Sequence, residues 1–102
     1  MRCDFKFWYI RRDDDGFITE AAIRFYEGDY VEGKYIRTKR LLPIEMPHIK
    51  KETVVESNNN AAILYTDSDF GRIKTDDELR KFLKKEIGKD KARTPINEQR
   101  EV

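Results

Sequence analysis

Hydrophobic and polar positions alternate from the first residues. In "CDFKFWYI", residues 3–10, Cys3, Phe5, Phe7 and Tyr9 share one parity, and Asp4, Lys6, Trp8 and Ile10 share the other. That is the period of a β-strand, and the aromatic content favours strand over helix. "FITEAAIRFY", residues 17–26, alternates in the same way. Phe17, Thr19, Ala21, Ile23 and Phe25 fall on one face; Ile18, Glu20, Ala22, Arg24 and Tyr26 fall on the other. Between the two runs lies "RRDDDG", rich in turn-forming Asp and ending in Gly16, which takes positive φ readily. The pattern predicts a β-hairpin over residues 3–26 that turns at residues 13–16.

"EGDYVEGK" follows, with Gly28 and Gly33 read as turn residues and a second reversal leading into a strand at 34–42. Tyr35, Arg37, Lys39 and Leu41 face one way there; Lys34, Ile36, Thr38, Arg40 and Leu42 face the other. Neither face is purely apolar, as suits an edge strand whose cations discourage stray pairing. Pro43 and Pro47 make the next stretch extended and irregular. Residues 53–56 predict a short strand, 57–60 a turn, 61–66 a strand, 67–71 a turn and 72–74 a brief extension.

After Lys74 the apolar period changes to that of a helix. Leu79, Phe82, Leu83 and Ile87 form one stripe over residues 76–87. Thr75 and Glu78 stand at capping-box spacing. Asp76 and Asp77 complement the positive end of the helix dipole, Lys84 and Lys85 the other end, and Gly88 reads as the stop. "KDKARTPINEQREV" has little to bury and reads as a polar tail. The fold class expected is α+β: a small antiparallel β-sheet led by an N-terminal hairpin and packed by one C-terminal helix. It forms one domain over 1–88, with a tail at 89–102.

Composition changes this picture in two ways. Apolar residues are only 38% and charged residues 40% of the 102, yet aromatics reach 12%. A thin aromatic core under a charged surface is implied, and a disordered chain would be poorer in rings. The net charge of +1 gives no global basic excess. The charge is segregated instead: residues 34–51 are basic, 52–78 acidic and 79–94 basic again. Charges at positions 2, 4 and 6 do not read as a secretory leader, and no apolar run approaches the ~20 residues of a membrane span. A cytoplasmic protein without a membrane segment is the expectation.

Candidate chemistry narrows quickly. "RDDDGFITEA", residues 12–21, has the look of an EF-hand loop. With Gly16 in the sixth slot, Asp13 and Asp15 fill the third and fifth. Arg11 then takes the first and Ala22 the twelfth, where carboxylates are needed. "DSDFGRIKTDDE" offers Asp67, Asp69 and Glu78, but Gly71 falls one place early and Arg72 takes its slot. Both stretches read as acidic turns. His48 is the single histidine and has no partner at metal-ligand spacing. Cys3, the single cysteine, reads as a small core residue of the first strand and can form no intramolecular disulfide. No nucleophile–base constellation and no phosphate loop occurs. The expectation is a non-enzymatic protein with no cofactor and no metal.

The remaining signal is a surface. If Phe5, Phe7, Ile23 and Phe25 lie under the helix, then Trp8, Ile10, Ile18, Ala22 and Tyr26 face outward. Tyr35, Arg37 and Lys39 add a basic aromatic cluster, and the helix carries Arg80, Lys81, Lys84 and Lys85. The candidate interaction surface is therefore Trp8, Ile10, Ile18, Tyr26, Tyr35, Arg37 and Lys39. Its expected occupant is a protein partner or a second copy; a nucleic acid is the alternative, since exposed rings with basic flanks stack bases and hold phosphates. The passage "KFWYIRRDDDGFITEAAIRFYEGD" resembles small uncharacterised proteins of tailed bacteriophages. That resemblance implies a viral product: a minor virion component of the head–tail or tail region, or a small inhibitor of a host protein.

Overall fold

Strand β1 (Arg2–Arg12) and strand β2 (Ile18–Val31) form the N-terminal hairpin, paired antiparallel with Phe5 opposite Phe25. The computed structural model describes residues 2–46, 49, 54–55, 62–89 and 94–95. The acidic tip is a braced turn: the Asp13 carboxylate accepts from the backbone N–H of Asp15 and of Phe17, both at 2.9 Å. Gly16 supplies the positive φ of 88°. Arg12 then ties the tip to the rest of the domain. It donates to the Gly16 carbonyl at 3.1 Å, to the Lys74 carbonyl, and to the Asp76 carboxylate at 2.8 Å.

β2 is 14 residues long and becomes the middle of the sheet. Along its far edge, β3 (Lys34–Leu41) takes the C-terminal half and β5 (Ala62–Thr66) the N-terminal half. β4 (Val54–Val55) flanks β5 antiparallel. The reversal into β3 uses Glu32 (φ 52°) and Gly33 (φ 80°), the left-handed pair of a two-residue hairpin. Gly28, expected in a turn, instead sits inside β2 opposite Arg2 and Arg37. Pro43–Glu45 form a 3-10 turn.

Two bulges decide which side chains enter the core. The β1–β2 register runs Phe7 opposite Ile23 and then Tyr9 opposite Ala22, so Trp8 is an extra residue. A second shift leaves Thr19 unmatched between Arg11–Glu20 and Arg12–Ile18. A bulge reverses the facing of everything beyond it. Tyr9 and Arg11 therefore move to the face opposite Phe5 and Phe7, and Ile10 turns inward. Ile18, at 1% exposure, is a core residue. The expectation that Ile10 and Ile18 face outward is corrected for this reason: strict alternation fails at Trp8 and Thr19.

The core gathers Cys3, Phe5, Ile23, Phe25, Leu41 and Ile63 from the sheet, with Met46 and Ile49 from the segment after β3. Helix α2 (Asp76–Gly88) covers it with Leu79, Leu83 and Ile87, all at 0% exposure. The capping box is formed: the Glu78 N–H donates to the Thr75 hydroxyl at 3.2 Å, and the Thr75 N–H to the Glu78 carboxylate at 3.1 Å. These bonds favour ionised Glu78 and lower its pKa. Gly88 lies within the helix, and Lys89 is the C-cap. The expected turn at 67–71 is a one-turn helix, α1 (Asp67–Phe70), because Thr66 and Asp69 make a second capping box. Residues 72–74 form no strand, although the Ile73 carbonyl accepts from Ile18 N–H at 2.8 Å.

The tail is not wholly separate from the domain. β6 (Thr94–Pro95) pairs parallel with Arg2 and Cys3 on the outer edge of β1. The rest of the tail beyond Lys89, His48 and the expected turn at 57–60 lie outside the described residues. The bulge yields a first prediction. Deleting Trp8 restores a regular ladder and leaves Tyr9 and Ile10 facing as they do now. Deleting Lys6 instead moves Phe5 out of register with Phe25. Thermal melts should show the Trp8 deletion folded and the Lys6 deletion far less stable or unfolded.

Candidate functional site

Both helices contribute to one core cluster on one side of the sheet, through Phe70 and through Leu79, Leu83 and Ile87. Among the described residues, no helix covers the opposite face. The pairing registers place Asp4, Lys6, Tyr9 and Arg11 of β1 on it, with Glu20, Arg24, Tyr26 and Tyr30 of β2 and Tyr35, Arg37 and Arg40 of β3. The bulged Trp8 joins them. Its ring lies 6.1 Å from that of Tyr9 and carries the Arg24 guanidinium at 4.6 Å.

This pattern of a guanidinium over a ring recurs along the face. Arg37 lies 4.4 Å from the Tyr26 ring centroid, Arg11 5.4 Å from Tyr9, and Arg2 5.5 Å from Tyr30. A guanidinium this close to a ring centroid gains a cation–π attraction, and Arg37 keeps its donors for the Asp4 carboxylate. Arg24 is the most enclosed of them, and its Nε is buried without a hydrogen-bond partner.

A buried carboxylate anchors the β3 end. Asp4 is 3% exposed, accepts from the Tyr35 hydroxyl at 2.9 Å and from Arg37 Nε at 2.6 Å, and lies 2.5 Å from an Arg37 terminal nitrogen. Tyr35 reaches it by crossing over Gly28, where no side chain intervenes. Burial pushes the Tyr35 pKa up, and the bond to Asp4 pushes it further in the same direction. Tyr9 is shifted upward for like reasons, burial first and then its 2.9 Å bond to the Glu20 carboxylate.

Of the seven residues expected at the surface site, the structure brings together Trp8, Tyr26, Tyr35 and Arg37. Ile10 and Ile18 turn to the core. Lys39 faces the helix side and pairs with Glu45 at 2.5 Å. The α2 cations also lie on the helix side, where Arg80 bonds Asp77 at 3.1 Å and sits 5.2 Å from the Phe7 ring. Sequence reasoning missed Asp4, Lys6, Tyr9, Arg11 and Arg24 as members. Lys6 and Arg24 were accessible, since they share the parity of Trp8 and Tyr26. Tyr9 and Arg11 were not, because nothing in the alternation marks the bulge.

Cys3 is fully buried. Among the described residues, no group of three His, Cys, Asp or Glu could hold a metal ion, and no helix is long and apolar enough to cross a membrane. No family model, curated protein or solved structure matches the chain.

Proposed function

We propose that the chain is a non-enzymatic binding module whose working surface is the open face of the sheet. The observation that carries this reading is the concentration of guanidinium–ring stacks on the one face that no described helix covers. Such surfaces offer rigid rings and oriented donors at low entropic cost, the traits of interface hot spots. Arginine-selective chemical footprinting in a cell extract tests it. Arg11 and Arg24 should become protected relative to the purified protein, with Arg72 and Arg80 unchanged. Protection confined to Arg72 and Arg80 would refute it.

A second reading, assembly, rests on the β2–β3 arm. β1 pairing ends at Arg2–Gly28, so residues 29–36 project past it as a two-stranded ribbon. Val31 and Ile36, 56% and 46% exposed, lie on the same side of that ribbon. With the resemblance of residues 6–29 to small phage proteins, this arm suits packing in a virion head–tail or tail structure, or against a host protein in the cytoplasm. Sedimentation should then show a dimer or larger species that Ile36→Lys returns to monomer. A monomer at all concentrations would argue against self-assembly.

A further inference from the structure

Lys6 and Arg24 are direct cross-strand partners in the β1–β2 ladder. Like charges so placed repel. Among the described residues neither is paired with a carboxylate: Arg24 lies on Trp8 with its Nε unpartnered, and Lys6 is exposed. Arg11 and Arg2 extend the row of cations along β1. Among the described residues the face carries two carboxylates: Asp4 is held by Arg37 and Tyr35, and Glu20, the cross-strand partner of Arg11, accepts from the Tyr9 hydroxyl. Four cations thus lie along two adjacent strands, interleaved with Trp8, Tyr9, Tyr26 and Tyr30. Their span from Arg2 to Arg11 is about 30 Å at strand rise, room for roughly four or five nucleotides.

We infer that this face binds single-stranded nucleic acid, an inference that rests on the open face being the working surface. Phosphates would sit against Arg2, Lys6, Arg11 and Arg24, and unpaired bases would stack on the guanidinium–ring pairs, displacing a guanidinium where they meet a ring face directly. A duplex keeps its bases stacked inside and presents only phosphate edges to a sheet, so the rings select for single strands. The acidic hairpin tip, residues 13–15, and the acidic first turn of α2 flank the Arg12 end, which repels phosphate and bounds the track there.

Trp8 is the only tryptophan, so its fluorescence reports on this face alone. Titration of the whole protein with a mixed-sequence single strand of about 12 nucleotides should quench it saturably at low salt. Affinity should fall with salt at a log–log slope of about −3, the value for four phosphate contacts on a single strand. Lys6→Glu is the discriminating variant. It places a carboxylate opposite Arg24, so it should leave melting unchanged or raise it, while lowering affinity about tenfold or more and making the slope shallower. Trp8→Ala, followed with a labelled strand, should weaken binding about tenfold without changing the slope.

No quenching at low salt would overturn the inference. So would equal binding of duplex, heparin or anionic vesicles with Trp8 unquenched, which would show unspecific adhesion of polyanions. The footprint separates this inference from the reading beneath it. Protection of Arg11 and Arg24 that survives nuclease treatment would leave the face as a binding surface but remove nucleic acid as its occupant. Protection lost on nuclease treatment supports both.

Discussion

Replacing Gly28 with alanine should destabilise the domain by about 3 kcal/mol, seen as a fall in melting temperature on the order of 15 °C. The φ of Gly28 is not the cause, since its backbone is ordinary extended strand. The cause is space. A Cβ there would overlap the Ile36 carbonyl oxygen and lie 2.7 Å from the Tyr35 hydroxyl oxygen. This crowding arises where β2 and β3 slip by one residue between Glu27 and Gly28, drawing the β3 backbone close. The decisive comparison is the double variant with Tyr35→Ala. Removing the ring relieves the side-chain overlap and leaves the clash with the Ile36 carbonyl, so stability should not return. Full rescue would show that only side-chain crowding mattered.

Gly28 also marks where the sequence could be read and where it could not. The hairpin, the third strand and the final helix follow from period alone, because each has one face that must be buried. The Thr75–Glu78 cap is likewise local chemistry. Gly28 read as a turn residue because glycine has two uses in strands, turning and close approach, and only the partner strand tells them apart. The bulges at Trp8 and Thr19 are tertiary in the same sense. They let Ile10 and Ile18 fill the core at the hairpin end while Tyr9 and Arg11 extend the outer face. The one-turn helix at Asp67 was in fact legible, since Thr66 and Asp69 have capping spacing. It went unread because Asp, Ser and Gly in succession also spell a turn. Trp8, Tyr26, Tyr35 and Arg37 were therefore visible in the sequence, Lys6 and Arg24 share their parity, and Tyr9 and Arg11 depended on register.

Asp4→Ala should move stability and binding in opposite directions. Asp4 is a carboxylate at 3% exposure, and its charge is tolerated there because Arg37 and Tyr35 both donate to it. Truncation leaves the Tyr35 hydroxyl without its acceptor and frees Arg37. Because the Arg37 side chain is 42% exposed, water can take over its lost bonds. The cost should then be about 2 kcal/mol, below the ~3–5 kcal/mol typical of breaking a fully buried pair. Asp4→Asn keeps an acceptor for Tyr35 and should cost about half as much. Both variants remove a negative charge from the open face and release a guanidinium beside Tyr26. Affinity for a single strand should rise severalfold at low salt, and its salt dependence should steepen. The alkaline limb gives an independent check. The Tyr35 pKa is raised in the folded state, so its contribution to stability is intact below the ordinary value of 10.0 and is lost as pH climbs above it. Part of that rise comes from Asp4, so in Asp4→Ala the loss of stability above about pH 10 should be shallower than in the parent protein. If the variant melted lower but bound no more tightly, the freed Arg37 would not extend the phosphate track onto β3, and the track would remain the four cations of β1 and β2.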